Sequence, residues 1–361
     1  MLAQGVTGSI LAAGLSLVFA LALVPLARAT GWMDVPSARK HHAQPTPLVG
    51  GPATWGGMFL VLALAGLLDA ALLAACTLIM LTGLVDDRWP LGAWVRFGLQ
   101  AMACLLMVFA GDVLLLDFGR LLVDHVLELG PLAVPITVFA ALGVINAFNM
   151  IDGVDGLSGS IFVLCCIAAG VLAWRAGRAD VLPLLFTAGG ATLGFLALNA
   201  RLPWNPRARI FLGDSGSLLL GLVLAWVFID LGNGSRAGVD RAFAPMTAVW
   251  IFGLPLLDTT RLMANRWRAG RSAFEADEYH LHHAFARAGF SPGQTWMGIV
   301  AFAALFMVTG AVLEISGVPE YLRFYGFIAC GLGYFHVMKR AWRSARFLGR
   351  PMRNTEVVFN T

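Results

Sequence analysis

Carboxylates stand at the ends of apolar segments in two places in this sequence. Asp86 and Asp87 are adjacent in GLVDDRW, and Asp214 stands between glycines in FLGDSGSLLLG. Adjacent carboxylates repel each other and persist most easily beside a cation or an arginine, and at a helix C-terminus they also oppose the helix dipole. Asp214 is compatible with a helix N-cap or with a Mg²⁺ site beside a phosphate. These three residues are therefore the candidate catalytic and metal-ligating carboxylates.

A second polar cluster combines amides and carboxylates at three-residue spacing. The stretch NAFNMIDGVDGLSG holds Asn146, Asn149, Asp152 and Asp155. Each three-residue step on a helix turns by about 300°, so neighbours in the series share a side until the glycines break the helix. The cluster suits a polar ligand such as a nucleobase or a ribose, whereas a polar turn with local Asx hydrogen bonds is the alternative. The cost of polar groups at membrane depth favours the ligand site.

Histidines and arginines supply candidates for binding an anion. His280, His282 and His283 occur in ADEYHLHHAF, and this spacing does not place two zinc ligands on one helical face. Arg266 precedes them, and arginine matches phosphate oxygens with two parallel hydrogen bonds. The segment therefore indicates an anion pocket, with a solvated basic loop as the alternative.

The composition is that of a membrane protein. Of the 361 residues, 58% are hydrophobic and 13% are charged, against about 25% charged residues in typical soluble domains. The five cysteines lie mostly in apolar segments without metal-ligand spacing, so they are expected to be small core residues. We expect an all-α polytopic protein with about eleven transmembrane helices, at 5–27, 49–68, 70–85, 93–111, 132–148, 157–174, 181–198, 216–232, 244–263, 294–315 and 321–338. Residues 1–338 form one predicted domain, and 339–361 a basic cytoplasmic tail.

The basic residues predict the orientation of these helices. With the N-terminus outside and the C-terminus in the cytoplasm, nineteen of the 25 lysines and arginines fall on the inside. Arg39 and Lys40, in DVPSARKHHAQPTPLVGG, are equally compatible with this bias and with phosphate binding. All the polar clusters then lie at the cytoplasmic face of a multi-pass membrane protein. A structural scaffold would not need such a concentration on one face, whereas an active site would.

The motifs together resemble one enzyme family. DVPSARKHHAQPTPLVGG, GLVDDRW, NAFNMIDGVDGLSG, FLGDSGSLLLG and ADEYHLHHAFARAGF occur in the order typical of the polyprenyl-phosphate N-acetylhexosamine-1-phosphate transferases. The resemblance covers nearly the whole chain. It implies transfer of a sugar-1-phosphate from a UDP-sugar to a polyprenyl phosphate in the membrane, with release of UMP and with Mg²⁺ or Mn²⁺ as cofactor. Nucleic acid is not an expected partner, and an oligomer is compatible with the sequence.

The resemblance also implies roles for matching residues. Asp214 is the implied principal metal ligand, and Asp86 and Asp87 are implied beside the phosphates, assisting the metal or the acceptor. The implied substrate contacts are Asn149 and Asp155 with the uracil, Phe211 stacked on the uracil, Asp152 near the nucleoside, Asn199 in support of the site, and His280, His282, His283 and Arg266 around the diphosphate or the sugar.

The histidine motif bears on the donor sugar. It reads HLHH rather than the three consecutive histidines typical of the branch that transfers phospho-MurNAc-pentapeptide. The context is similar to the branch that uses UDP-N-acetylglucosamine and undecaprenyl phosphate in cell-surface polysaccharide pathways such as O-antigen. Another UDP-N-acetylhexosamine or UDP-MurNAc-pentapeptide remains an alternative donor. A membrane transporter is a more distant alternative, disfavoured because no internal repeat is visible and the polar clusters lie at one face.

Overall fold

The computed structural model describes residues 2–35, 44–122, 125–203, 205–233, 240–272 and 279–347. Two short antiparallel strands, β1 (Met33–Asp34) and β2 (Thr46–Pro47), follow the first helix. The α-helices are α1 (Leu2–Thr30), α2 (Gly50–Leu64), α3 (Ala70–Arg88), α4 (Ala93–Phe109), α5 (Ala133–Ile151), α6 (Leu157–Arg175), α7 (Leu182–Asn199), α8 (Gly213–Asn233), α9 (Pro245–Ile251), α10 (Gly253–Arg268), α11 (Leu281–Arg287), α12 (Pro292–Ile315) and α13 (Glu320–Phe347).

The helices confirm an all-α, multi-pass membrane protein. Among the described residues, seven helices are long and apolar enough to cross a membrane, and α2 and α4 are shorter apolar helices. The seven are α1, α3, α5 with the turn before it, α6, α7, α8 and α12. Every apolar window of the sequence contains a helix, so the hydropathy pattern located the elements.

Three details differ from the expected helices. The window 244–263 is divided into α9 and α10 at Phe252, because Pro255 has no N–H to donate to the carbonyl four residues earlier. The seven-residue helix α11 carries the histidines and is too short to show as an apolar window. Finally, α13 continues past residue 338 as far as Phe347, so the described part of the predicted tail is helical.

Helix α8 lies at the centre of the bundle and is buried along its apolar length. It packs against α2, α3, α5 and α6. Close approach depends on glycines: a Cβ added at Gly83 of α3 would lie 2.4 Å from the backbone of Asp214, and one at Gly221 would lie 2.8 Å from Ile145 Cα. Because helices in lipid gain little from hydrophobic burial against one another, small residues at their contacts allow dispersion to hold them together.

The contact between α1 and α7 also depends on glycines that let the two backbones approach closely. Gly190 and Gly194 are four residues apart on α7, and a Cβ at either position would lie 2.2 Å from a carbonyl oxygen of α1, at Ser9 and Ala13 respectively. This is the small-xxx-small arrangement of membrane helix pairs. It holds the N-terminal helix against the core of the bundle.

Two ion-pair networks join loops at the end of the bundle opposite the polar motifs. The buried Arg178 binds Asp180, at 3.0 Å, and Asp230, at 2.8 Å. Arg241 binds Glu320 at 2.9 Å. Every one of these residues lies in a segment, or at a helix end, that the charge pattern assigns to the outer side.

Candidate active site

The N-terminus of α8 is capped by a residue from another helix. Gly213 turns the chain with φ of +71°, and Asp87 at the end of α3 reaches the new helix. Its Oδ1 accepts the N–H of Asp214 at 2.7 Å, and its Oδ2 accepts the N–H of Ser215 at 3.2 Å. Both bonds satisfy donors that a helix start leaves open, and the negative charge suits the positive end of the helix dipole. Asp87 therefore fixes the position of the Asp214 backbone.

The side chain of Asp214 belongs to a separate polar group. Its Oδ1 accepts a hydrogen bond from Asn149 Nδ2 at 2.6 Å, and the same amide donates to Ser217 Oγ at 2.8 Å. Asp214 also interacts electrostatically with Asp86 and Arg96. The structure thus brings Asp86, Asn149 and Asp214 together from α3, α5 and α8. The contact of Asn149 with uracil stays a prediction.

Arg96 was counted in the sequence only as a positive charge on the inner side. In the structure its Nη1 lies 3.2 Å from Asp86 Oδ2, and Asp86 Oδ1 accepts the N–H of Leu91 at 2.6 Å. The short turn between α3 and α4 therefore folds Arg96 back onto the carboxylates. The available signal was its position in the first turn of the helix that follows GLVDDRW. An arginine there offsets part of the repulsion between Asp86 and Asp214.

The carboxylates suit a hard divalent cation. Carboxylate oxygens are ligands that Mg²⁺ prefers, and two like-charged carboxylates in electrostatic contact gain from a cation between them. Within the described ranges, no group of three or more His, Cys, Asp or Glu side chains is arranged to hold a metal ion. A Mg²⁺ site usually combines one or two carboxylates with substrate phosphates and water.

The turn between α5 and α6 carries two further carboxylates. Asp152 accepts a hydrogen bond from Ser158 Oγ at 2.6 Å. Burial raises its pKa from 3.8 to about 7, and the nearby charges of Asp214 and Asp155 add to this rise against the opposing effect of the Ser158 hydrogen bond. Asp155 is almost fully buried, and its Oδ2 accepts from Arg201 Nε at 2.9 Å. The Asp152 carboxylate therefore titrates near neutral pH.

Asn199 ties this turn to the segment before α8. Its Oδ1 accepts the N–H of Gly156 at 2.7 Å, and its Nδ2 donates to Ile210 O at 2.9 Å. Gly156 has a φ of +82°, a backbone conformation that residues with a side chain rarely adopt. The supporting role that the family motif implied for Asn199 therefore has a geometric basis, since it links the two polar segments of the site.

Phe211 and Arg266 are both buried. The Phe211 residue is 4% exposed, its N–H donates to Pro47 O at 2.9 Å, and its carbonyl accepts from Gly50 N at 3.0 Å. Arg266 is also 4% exposed, in the last turn of α10. Their contacts with uracil and diphosphate stay predictions. Arg39 and Lys40 lie outside the described residues.

The histidines form one cluster at the start of α11. The His282 and His283 ring centroids are 4.2 Å apart, and the His280 ring stacks on that of His282 at 5.4 Å. His282 packs against the α5–α6 turn, since a Cβ at Gly153 would lie 2.4 Å from its Cε1. Burial and the two neighbouring histidines hold the pKa of His282 well below its usual range, so this ring is neutral at pH 7.

Asp258 is a residue of this region that the sequence-based prediction missed. Its Oδ1 accepts from Arg261 Nη2 at 2.9 Å and from Tyr334 Oη at 2.8 Å. Its Oδ2 accepts the N–H of Leu281 at 3.3 Å and lies 3.4 Å from His280 Nδ1. Asp258 therefore anchors the histidine helix to α10 and α13. The available signal was an Asp and an Arg three residues apart inside an apolar window. Charged residues are rare in membrane helices and usually pair with each other or mark a functional site.

The chain is similar to known proteins over most of its length. The model of the family described as glycosyl transferase family 4 matches residues 70–232, which span α3 to α8. The undecaprenyl-phosphate alpha-N-acetylglucosaminyl 1-phosphate transferase of Escherichia coli K12 is 33% identical over 335 residues, covering 91% of this chain and 89% of the relative. The enzymes of the same name from Yersinia pestis and Haemophilus influenzae are 32% and 33% identical, and each alignment covers 92% of this chain, with 92% and 93% of the relatives.

The motif resemblance is thus confirmed by similarity along almost the entire chain, and the carboxylates of its motifs meet in the folded protein. The chain belongs to glycosyl transferase family 4, among the sugar-1-phosphate transferases that act on polyprenyl phosphates.

Proposed function

We propose that this protein transfers N-acetylglucosamine-1-phosphate from UDP-N-acetylglucosamine to undecaprenyl phosphate and releases UMP. The observation that carries the proposal is the meeting of Asp86, Arg96, Asn149 and Asp214 at the N-terminus of α8. The printed name of the similar enzymes supports this donor and this acceptor.

The reaction is a direct displacement at phosphorus. An oxygen of the acceptor phosphate attacks the β-phosphorus of the donor, the bond from this phosphorus to the bridging oxygen breaks, and UMP leaves with the electron pair. Both reactants are anions, so charge neutralisation and positioning are the main demands on the protein. A polyprenyl phosphate is ionised near neutral pH, and it needs little help from a general base. Accumulation of a labelled phospho-sugar on Asp86 or Asp87 without acceptor would disprove direct attack.

Asp86 and Asp214 would hold Mg²⁺ or Mn²⁺. When bound, the ion neutralises phosphate charge and orients the diphosphate. Asp87 sets the backbone position of Asp214 through two hydrogen bonds, and its own role as a metal ligand stays a prediction. Asn149 holds the Asp214 carboxylate, and Arg96 supplies a fixed positive charge beside Asp86.

The donor would lie across the α5–α6 turn and the histidine cluster. Asn149 and Asp155, with Phe211, are proposed for the uracil, and Asp152 for the nucleoside. The histidines and Arg266 are proposed for the diphosphate or sugar, with Arg39 and Lys40 as further phosphate ligands. The packing of His282 against Gly153 supports this arrangement because it joins the two regions directly.

The site is proposed to face the cytoplasm of a bacterial cell, in the inner membrane. The charge pattern places the N-terminus outside and the C-terminus inside, with eleven crossings. The structure supports this alternation, since the polar motifs meet at one end of the bundle and Arg178, Asp230, Arg241 and Glu320 form networks at the other. A soluble nucleotide and a lipid phosphate can both reach a site at the membrane interface.

The test is transfer of radiolabel from UDP-N-acetylglucosamine to undecaprenyl phosphate by detergent-purified protein. We expect a lipid product and UMP with Mg²⁺, none with EDTA, and none from Asp214→Asn. UDP-N-acetylgalactosamine and UDP-MurNAc-pentapeptide are run in parallel. Product from one of these alone would keep the chemistry and change the donor. Absence of product from every donor, with folded protein, would overturn the proposal, and uptake of label into vesicles without a covalent product would indicate a transporter.

A further inference from the structure

Trp296, near the start of α12, is bonded to the turn between α5 and α6. Its indole Nε1 donates to Gly156 O and to Ser160 Oγ, each at 3.1 Å. An indole has a single N–H, so the two acceptors share one donor. The side chain is half-buried and lies 140 positions along the chain from Gly156. It therefore joins α12 to a turn that carries two carboxylates of the site, Asp152 and Asp155.

Gly156, the residue at which this turn ends, is held from both sides. Its N–H donates to Asn199 Oδ1 at 2.7 Å. Its carbonyl accepts the indole N–H and also the N–H of Ser160, at 3.1 Å, in the first turn of α6. A Cβ added at Gly156 would lie 3.1 Å from Ala200 Cβ and 3.2 Å from Trp296 Nε1. The end of the turn is thus fixed between the segment after α7 and the start of α12.

A cavity of about 310 Å³ lies beside this contact. Trp296, Ser160 and Ala200 line it together with aliphatic residues of α7. Dispersion attraction needs atoms in contact, so the turn gains little from packing where the cavity lies. The indole hydrogen bond is therefore the main restraint on this side of the turn.

Helix α12 also carries the histidine helix. A Cβ added at Gly298 of α12 would lie 2.8 Å from Phe285 Cε1, so this glycine lets α11 pack closely against α12. His282 of α11 in turn packs against Gly153. The unit formed by α11 and the start of α12 therefore contacts the α5–α6 turn at two points, Gly153 and Gly156. The first contact comes from a histidine ring and the second from the indole.

We propose that Trp296 is a positioning residue that sets the distance between the α5–α6 turn and the histidine cluster. This rests on the proposed function, in which the turn binds the nucleoside and the histidines surround the diphosphate or the sugar. A nucleoside diphosphate reaches both regions and gains from their alignment, whereas a nucleoside alone contacts only the turn. Trp296 acts through Gly156, so it governs the affinity for the donor and leaves the affinity for the lipid acceptor unchanged.

The first experiment measures the binding of radiolabelled UDP and uridine to detergent-purified protein by equilibrium dialysis with Mg²⁺. Trp296→Phe keeps an aromatic ring and removes the N–H donor. We expect the Kd for UDP to rise by about tenfold, which is the size of effect that one lost hydrogen bond can have, and the Kd for uridine to stay within about twofold. Wild-type affinity of this variant for UDP would overturn the proposal. Equal losses of affinity for UDP and uridine would also overturn it, since alignment affects only the ligand that reaches both regions.

Two variants serve as matched controls. Ser160→Ala removes the second acceptor and keeps the bond from the indole to Gly156. Trp174→Phe makes the same substitution at the other end of α6, where the tryptophan is 59% exposed. Both variants should bind UDP as the wild type does, and a loss in Ser160→Ala equal to that in Trp296→Phe would refute the route through Gly156. Absence of UDP binding by the wild type would instead refute the proposed function.

Steady-state kinetics provide a second readout, with folded protein quantified by size exclusion and thermal unfolding. Trp296→Phe should raise KM for UDP-N-acetylglucosamine by about tenfold and leave KM for undecaprenyl phosphate unchanged. A lower melting temperature with both KM values unchanged would make Trp296 a purely structural residue and would overturn the proposal.

Discussion

Replacement of Gly83 by alanine should separate α3 from the start of α8. A Cβ at this position would lie 2.4 Å from the backbone C of Asp214 and from the N of Ser215, whereas ordinary contacts begin at 3.4 Å. The two backbones must therefore move apart by about 1 Å, since neither atom belongs to a flexible side chain. The same movement lengthens the 2.7 Å bond from the Asp214 N–H to Asp87 beyond useful range. A misplacement of about 1 Å can cost on the order of 100-fold in rate, so we expect kcat to fall by about 100-fold.

Two other glycine substitutions serve as controls for this variant. Gly98 lies in α4 with open space around its Cβ position, so Gly98→Ala should leave kcat unchanged and favour the helix slightly. Gly190→Ala brings a Cβ within 2.2 Å of Ser9 O at the contact between α1 and α7. This variant should lower the melting temperature while kcat per folded molecule stays near the wild-type value.

The assay is steady-state transfer with both substrates saturating, with folded protein quantified by size exclusion and thermal unfolding. If Gly83→Ala keeps kcat within about threefold of Gly98→Ala while it remains folded, the placement of Asp214 by α3 is not what limits the reaction. Equal losses of kcat in Gly83→Ala and Gly190→Ala would show that any packing strain in the bundle has this effect, which would also refute the argument.

Three further predictions concern charges. The Asp152 carboxylate has a pKa near 7, so kcat/KM should show an inflection near neutral pH, with activity rising as the carboxylate ionises. The hydrogen bond from Ser158 lowers this pKa, so Ser158→Ala should move the inflection to higher pH. Asp258→Asn breaks a buried pair and should lower unfolding free energy by about 3–5 kcal/mol, against about 1 kcal/mol for Tyr334→Phe, as measured by chemical denaturation. Arg96→Ala removes a competing positive charge, so half-maximal activity should need less Mg²⁺ while kcat falls by at least about tenfold; an unchanged Mg²⁺ requirement would place Arg96 away from the cation.

Much of the bundle follows from local sequence. Hydropathy over about 20 residues identifies a membrane helix because the lipid core demands a continuous apolar surface and internally satisfied backbone groups. Each predicted window accordingly contains a helix. The break at Phe252 was missed because Pro255, in the middle of the window 244–263, changes the mean hydropathy of that window very little. Helix α11 was missed because two turns bounded by polar residues carry no periodic signal.

Some features of the candidate site follow from local sequence, and others depend on the tertiary structure. The residue types and local spacing of GLVDDRW, NAFNMIDGVDGLSG and FLGDSGS were enough to select Asp86, Asn149 and Asp214, because uncompensated polar groups are costly in a membrane and stand out there. Which of the two adjacent carboxylates faces Asp214, and which caps α8, was decided by the tertiary structure. That assignment depends on a contact between residues 127 positions apart, and nothing local to either segment encodes it.

The sequence by itself determined the helical membrane architecture and the polar motifs, since both are read from properties of a few neighbouring residues. Only the tertiary structure decided that Arg96 folds back onto Asp86, that Asp258 anchors the histidine helix, and that Trp296 bonds the turn between α5 and α6. These features arise from packing between separate helices. Their energies depend on the distance and burial that the whole bundle imposes, which no single segment specifies.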